Sequence, residues 1–222
     1  MLKGARTSLA VLIAVPLIFS TIACDDDSSL PTMPAASTGT SILPVYYQPQ
    51  TTQDWSWAAA SAMAMVFHSG GNIYQCMLAS ARANQTGVNC CAVPADACYG
   101  VPSVSEVVDA ISGGITAGDY GVAGQGGLEA SDVVYAFAAT SMGPLDMDEV
   151  ESIIGERRPI IVRFDGSFPG HHAVIYGYDE EGQLLIHDPA FGSFTVPYGT
   201  TFSYTGQVFT WTDTIIVVRQ SL

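Results

Sequence analysis

The chain has 222 residues, with 21 carboxylates set against 7 lysines and arginines for a formal charge of −14. That length holds one domain of ordinary size plus an export segment. The acidic balance, with no basic stripe interleaved with aromatics, excludes nucleic acid and anionic lipid headgroups as partners.

Lys3 and Arg6 precede an apolar run over residues 9–22, and Ala23-Cys24 follows, which is the layout of a bacterial signal peptide over residues 1–23. Thr21-Ile22-Ala23-Cys24 resembles a lipobox, with Thr21 where leucine is usual. Cleavage there leaves Cys24 as a lipidated N-terminus ahead of Asp25-Asp26-Asp27. The expectation is an exported protein, anchored in the cell envelope by a lipid on Cys24 and otherwise secreted, which meets a membrane through that lipid alone. Loss of residues 1–23 leaves five arginines against 21 carboxylates, a formal charge of about −16. Residues 24–41, rich in Asp, Ser, Pro, Thr and Ala, read as a flexible tether, and residues 42–222 as the folded domain.

The first helix of the domain is expected from Trp55 to Phe67 or His68, with Asp54 as N-cap and Gly70-Gly71 as the stop. Its residues Trp57 to Val66 are apolar or small on nearly every side, so the helix belongs in the centre of the domain. Ser56 then lies in the first turn, among backbone N–H groups without helical partners. A nucleophile there is helped to carry negative charge, but serine is also a favoured cap, so position alone leaves both roles open.

Cys76, Cys90, Cys91 and Cys98 form an even set in a chain read as exported, which predicts two disulfides. A bond between the neighbours Cys90 and Cys91 is strained, leaving 76–90 with 91–98 or 76–91 with 90–98. The spacing lacks the C-x2-C pairs of zinc folds, so no metal is expected, nor any other cofactor. Ser103 with Glu106, and Asp146 with Glu149, have capping-box spacing ahead of apolar residues and predict two scaffold helices. Between them the glycine-rich stretch over residues 121–127 follows no strand and reads as a surface loop, not a phosphate cradle.

After Arg158 the pattern changes to strands over residues 159–164, 172–178, 183–187, 194–198 and 210–219, with a turn at Asp179-Glu180-Glu181-Gly182. Helices first and strands later give an α+β fold, not alternating βαβ units. A strand beginning with histidine and a neighbouring antiparallel strand ending at Asp188 bring the two side chains close.

The combined order of Gln50, Trp55-x-Trp57-Ala58-Ala59, Arg158-Pro159-Ile160-Ile161, Gly170-His171, Gly177-Tyr178-Asp179 and Asp188-Pro189 resembles the papain-like cysteine peptidases. The likeness is to the bacterial branch that includes plant-pathogen effector peptidases and bacteriocin-leader peptidases. The resemblance implies a papain-like fold with a helical half carrying a buried nucleophile helix, and an antiparallel sheet half. It implies a nucleophile at position 56 and an oxyanion donor at Gln50, six residues earlier, with Gln48 and Gln53 weaker candidates. It selects His171 over His172, since the family's catalytic histidine stands six residues before the Gly-Tyr pair, and gives Asp188 the task of orienting it. His68 and His187 read as hydrogen-bonded structural residues.

Position 56 departs from the family, which has cysteine there. A thiol becomes a standing thiolate beside an imidazolium and a helix N-terminus, whereas a hydroxyl must lose its proton during attack to an aligned base. The sequence therefore predicts a degenerate peptidase, a monomer that binds peptide or protein. The alternatives are an amide hydrolase using Ser56, His171 and Asp188, and a purely structural envelope lipoprotein.

Overall fold

The computed structural model describes residues 39–83, 88–92, 95–116, 133–168, 170–204 and 206–221. The signal-peptide reading, Cys24, most of the tether and the glycine-rich stretch at 121–127 lie outside these residues. The fold is α+β: four α-helices, α1 (Ser56–Ser69), α2 (Gln75–Ala83), α3 (Val104–Ser112) and α4 (Met147–Gly155), accompany a large antiparallel sheet among the described residues.

The sheet runs β4 (Phe137–Met142), β10 (Gln207–Arg219), β5 (Ile160–Gly166), β6 (His171–Tyr178), β7 (Gln183–Asp188), β8 (Gly192–Pro197). Two short strands extend it: β1 (Ser41–Ile42) pairs with the end of β6, and β9 (Thr201–Tyr204) with the start of β10. A separate ribbon joins β2 (Ile115–Thr116) to β3 (Val133–Tyr135). Gly177 permits the β1 pairing, because a Cβ there would sit 2.4 Å from the Ser41 carbonyl oxygen. The sheet thus begins at Ser41, the last residue read as tether.

Helix α1 is the centre of the molecule. Its residues Ser56 through Met65 are buried without interruption, as an all-round apolar helix requires. It lies against β6, β10 and β5 on one side and α2 and α3 on the other. The helix stops where Gly70 turns left-handed and donates to the Val66 carbonyl. At its start the expected cap fails. Trp55 occupies the N-cap position without a side-chain bond to the helix, and the Asp54 carboxylate instead accepts from the Gly100 N–H at 3.2 Å. Trp55 is held from the same loop, its indole Nε1 donating to the Cys98 carbonyl at 2.8 Å in a buried contact. A tertiary loop has captured both residues that local rules would give to the helix. The two capping boxes form in full, Ser103 with Glu106 at α3 and Asp146 with Glu149 at α4.

That loop is itself tied down. Cys76 of α2 is bonded to Cys91, and Cys90 to Cys98, the second of the two pairings left open by sequence. The Cys90 N–H also donates to Ser80 of α2 at 2.8 Å, and Arg82 donates to the Tyr99 carbonyl at 3.1 Å. The bonds are compatible with an exported protein, and they leave these four sulfurs no thiolate to offer a metal. Among the described residues no helix is long and apolar enough to cross a membrane.

Thiol titration of the denatured, unreduced domain should find no free thiol at Cys76, Cys90, Cys91 or Cys98. The double substitution Cys76→Ser, Cys91→Ser opens a closure of 15 residues and should lower unfolding stability by about 3 kcal/mol in a denaturant titration.

Candidate functional site

Asp188 ends β7 fully buried. A buried carboxylate must be compensated by donors, and this one has three. Its Oδ1 accepts from the Ala190 N–H at 2.8 Å and the Phe191 N–H at 3.1 Å, and its Oδ2 from His171 Nε2 at 2.8 Å. The register explains the last bond. Val174 faces His187 and Ile175 faces Ile186, so His171 at the start of β6 and Asp188 at the end of β7 project from one face as diagonal neighbours. Because a carboxylate accepts, the proton of a neutral His171 ring sits on Nε2, and Nδ1 is left with its lone pair. The ring is buried among Phe168, Phe191 and Phe209, with centroids 5.9 to 6.4 Å away.

The turn that delivers His171 is built from β5. Gly170, at φ +70°, donates to Asp165 Oδ1 at 2.7 Å, and Arg163 bridges Asp165 at 3.4 Å and Asp213 at 3.3 Å. A side chain on Gly170 would collide with Val101, since a Cβ would lie 2.2 Å from Val101 Cγ1. The Cys98 loop and the His171 turn therefore touch, and between them lies a cleft of about 340 Å³. Gln50, Gln53, Asp54, Ser56, Val101, Phe168, Gly170, His171, Ala190 and Phe191 line it.

Ser56 is the first residue of α1 and is 6% exposed. Its hydroxyl does not cap the helix; Oγ accepts from the His172 N–H at 3.2 Å. Among the described residues no hydrogen bond joins Ser56 to His171. Gln50 is brought to the same cleft by its own backbone, whose N–H donates to the Pro189 carbonyl at 3.0 Å, one residue past Asp188. Its side-chain Nε2 donates to the Gln53 carbonyl at 2.9 Å, and Oε1 is buried without a partner. The structure thus brings Ser56, His171 and Gln50 to one cleft, with Asp188 behind the histidine. Gln53 also lines it, whereas Gln48 does not.

A larger cavity of about 740 Å³ lies across the segment that carries Gln50, lined by Tyr46, Gln48, Trp55, Tyr74 and neighbours. Among the described residues it is lined by no carboxylate, histidine or arginine, whereas Asp54 and His171 line the smaller cleft.

The other histidines are placed differently. His187 has both ring nitrogens engaged, with Ser193 Oγ at 2.7 Å and the Val45 carbonyl at 3.2 Å, and it stacks on Tyr176 at 3.8 Å. The Nε2 of His68 is buried with no hydrogen-bond partner; burial lowers the ring's pKa, and a hydrogen bond with the Val217 backbone offsets a part. His172 is fully buried, and neither ring nitrogen has a hydrogen-bond partner. Burial above all, with His171 and Arg163 nearby, pushes its pKa down to about 3, although the Gly170 backbone offsets a part.

Sequence reasoning did not find Val101, Phe168 and Phe191, the apolar walls. Phe191 lies three residues beyond Asp188 and Phe168 three before His171, and that proximity was the available signal. Val101 reaches the cleft through the disulfide-tied loop, for which local sequence carries no signal.

The model of the Peptidase_C39-like family matches residues 42–203. The solved structure of a digestive procathepsin L 3 from the larval midgut of Tenebrio molitor superposes with a TM-score of 0.51 at 13% identity, covering 83% of this chain and 71% of that one. At that identity the likeness establishes the fold alone, which is papain-like. Comparison with curated protein sequences returns no match.

The His172 ring makes stability fall on the acid side. Unfolded, it takes up a proton near pH 6.5; folded, it does so only near pH 3. The unfolded state therefore binds more protons between these values, and stability present above pH 6.5 is lost as the pH drops toward 3. Urea titrations at pH 7 and pH 5 should show a loss of about 2 kcal/mol from this residue. His172→Leu should remove that share at little cost at pH 7, because it deletes two unpaired buried nitrogens. The lowered His68 and His187 leave a residual slope of the same sign.

Proposed function

We propose that this chain, which belongs to the Peptidase_C39-like family, is an exported, peptide-binding degenerate peptidase of the bacterial effector and bacteriocin-leader type. One observation carries the reading: the Ser56 hydroxyl accepts from the His172 N–H at 3.2 Å and is not hydrogen-bonded to the only imidazole in the cleft. A thiol at this position would ionise in the field of a helix N-terminus and a histidine, and would stay ionised between turnovers. A hydroxyl has no such standing state. It becomes a nucleophile only when a base takes its proton during attack, and here no hydrogen bond joins it to His171. The cleft keeps what binding requires: apolar walls at Val101, Phe168 and Phe191, and polar groups at Gln50 and Gln53. The signal-peptide layout and the two disulfides support export, and Cys24 supports a lipid anchor.

A second reading, an amide hydrolase that has adapted to serine, is favoured by the intact His171–Asp188 pair at 2.8 Å and by Gln50 in the same cleft. Retention of that pair is what an active enzyme needs, whereas binding alone does not.

Ser56→Cys should convert the site into one that labels with an electrophilic peptide probe at least about tenfold faster than free cysteine, because the helix start and His171 then act on sulfur. The gain should vanish when His171→Ala is added. Labelling together with no peptide turnover by the natural protein supports the binding reading. Turnover that disappears in Ser56→Ala establishes the serine hydrolase instead. A folded Ser56→Cys protein that labels no faster than free cysteine removes both and leaves the structural envelope lipoprotein.

A further inference from the structure

We infer that Asp54 makes the cleft selective for peptides that carry a cationic side chain beside an apolar one. The inference rests on the reading of the cleft as a peptide site and names the class of peptide. Asp54 stands two residues before Ser56 and lines the cleft. It is free to face a ligand because it does not cap α1: its Oδ2 accepts from the Gly100 N–H at 3.2 Å, which fixes the carboxylate, and Oδ1 has no hydrogen-bond partner among the described residues. Among the described residues the only other ionisable side chain lining the cleft is His171, whose Nε2 is already engaged by Asp188.

Three opposing charges have to be weighed; the first, Arg82, reaches toward Gly100 but is paired with Glu106 at 3.5 Å. Arg163 lies beside Gly170, but its guanidinium is shared between Asp165 and Asp213 and brings no net positive charge. The start of α1 contributes about half a positive charge, which the full negative charge of Asp54 outweighs at the rim. The apolar share of recognition comes from Val101 and Phe168, 54% and 40% exposed at the lips, with Phe191 behind Phe168 at a centroid distance of 5.7 Å. The protein's formal charge of −14 adds a long-range attraction for the same ligands.

The test is calorimetric titration of the intact domain with unlabelled hexapeptides that contain one leucine and, at each other position in turn, Arg, Gln or Glu. At low salt the Arg peptide should bind about five- to tenfold more tightly than its Gln partner at one position, and the advantage should shrink in added salt. Asp54→Asn should abolish that preference, so that the Arg and Gln peptides bind alike, and Asn can still accept from Gly100. Glu180→Gln, in the exposed turn after β6, makes the same change in net charge far from the cleft and should leave the preference intact. If Asp54→Asn keeps the preference, or if the natural protein binds Arg and Gln peptides alike, the inference is wrong and the peptide-binding reading survives. If the peptide panel shows no binding at all, the inference falls together with the reading beneath it.

Discussion

Burying the Asp188 carboxylate is the constraint from which the site is built. At zero exposure its charge is tolerable only if donors are supplied at fixed positions, and each donor orders a different part of the chain. The His171 ring is set in one tautomer, and the backbone of residues 190–191 is folded into a turn that presents Phe191. The adjoining backbone does the rest. The Asp188 carbonyl accepts from the Tyr47 hydroxyl at 3.3 Å, and the Pro189 carbonyl from the Gln50 N–H at 3.0 Å, so the segment leading to α1 is hung on the end of β7. Moving the carboxylate would disturb the histidine, the cleft wall and the glutamine together.

In the proposed reading, serine at position 56 is a local difference from the papain-like pattern with a disproportionate effect. The helix start and His171 would act on whichever residue stands there, but on different equilibria. With sulfur they lower a pKa that already lies near neutrality; with oxygen there is no ionised population to enlarge. The field of the site is preserved while its chemical product depends on one atom.

Much of the framework was readable because it is local. The capping boxes at Ser103 and Asp146 need only four consecutive residues, and β5 to β7 read as short runs rich in apolar and β-branched residues. The failures share a cause as well. Asp54 has the composition of an N-cap, but the Gly100 N–H, 46 residues away, competes for its carboxylate. Helix α2 mixes Cys76, Ala79, Ser80 and Ala83 without a clear polar stripe, and its place comes from a disulfide and from Gln75, which brackets residues 49–51 with three hydrogen bonds. Strand β4 shows no alternation because it is an edge strand whose second half is exposed, and its register is set by β10, some 75 residues later. The two-residue β1 is too short to carry a period at all.

The two disulfides also divide the protein into a part held by burial and a part held by covalent ties. The core of α1 and the sheet is held by apolar burial. The wall that carries Val101 and holds Trp55 and Asp54 hangs instead on Cys90–Cys98 and, through α2, on Cys76–Cys91. In a reducing compartment that wall rests on a handful of hydrogen bonds such as Cys90 N–H to Ser80 and Arg82 to the Tyr99 carbonyl. The cleft is therefore the part of the protein whose integrity depends on an oxidant, whereas the core beneath it depends on burial alone.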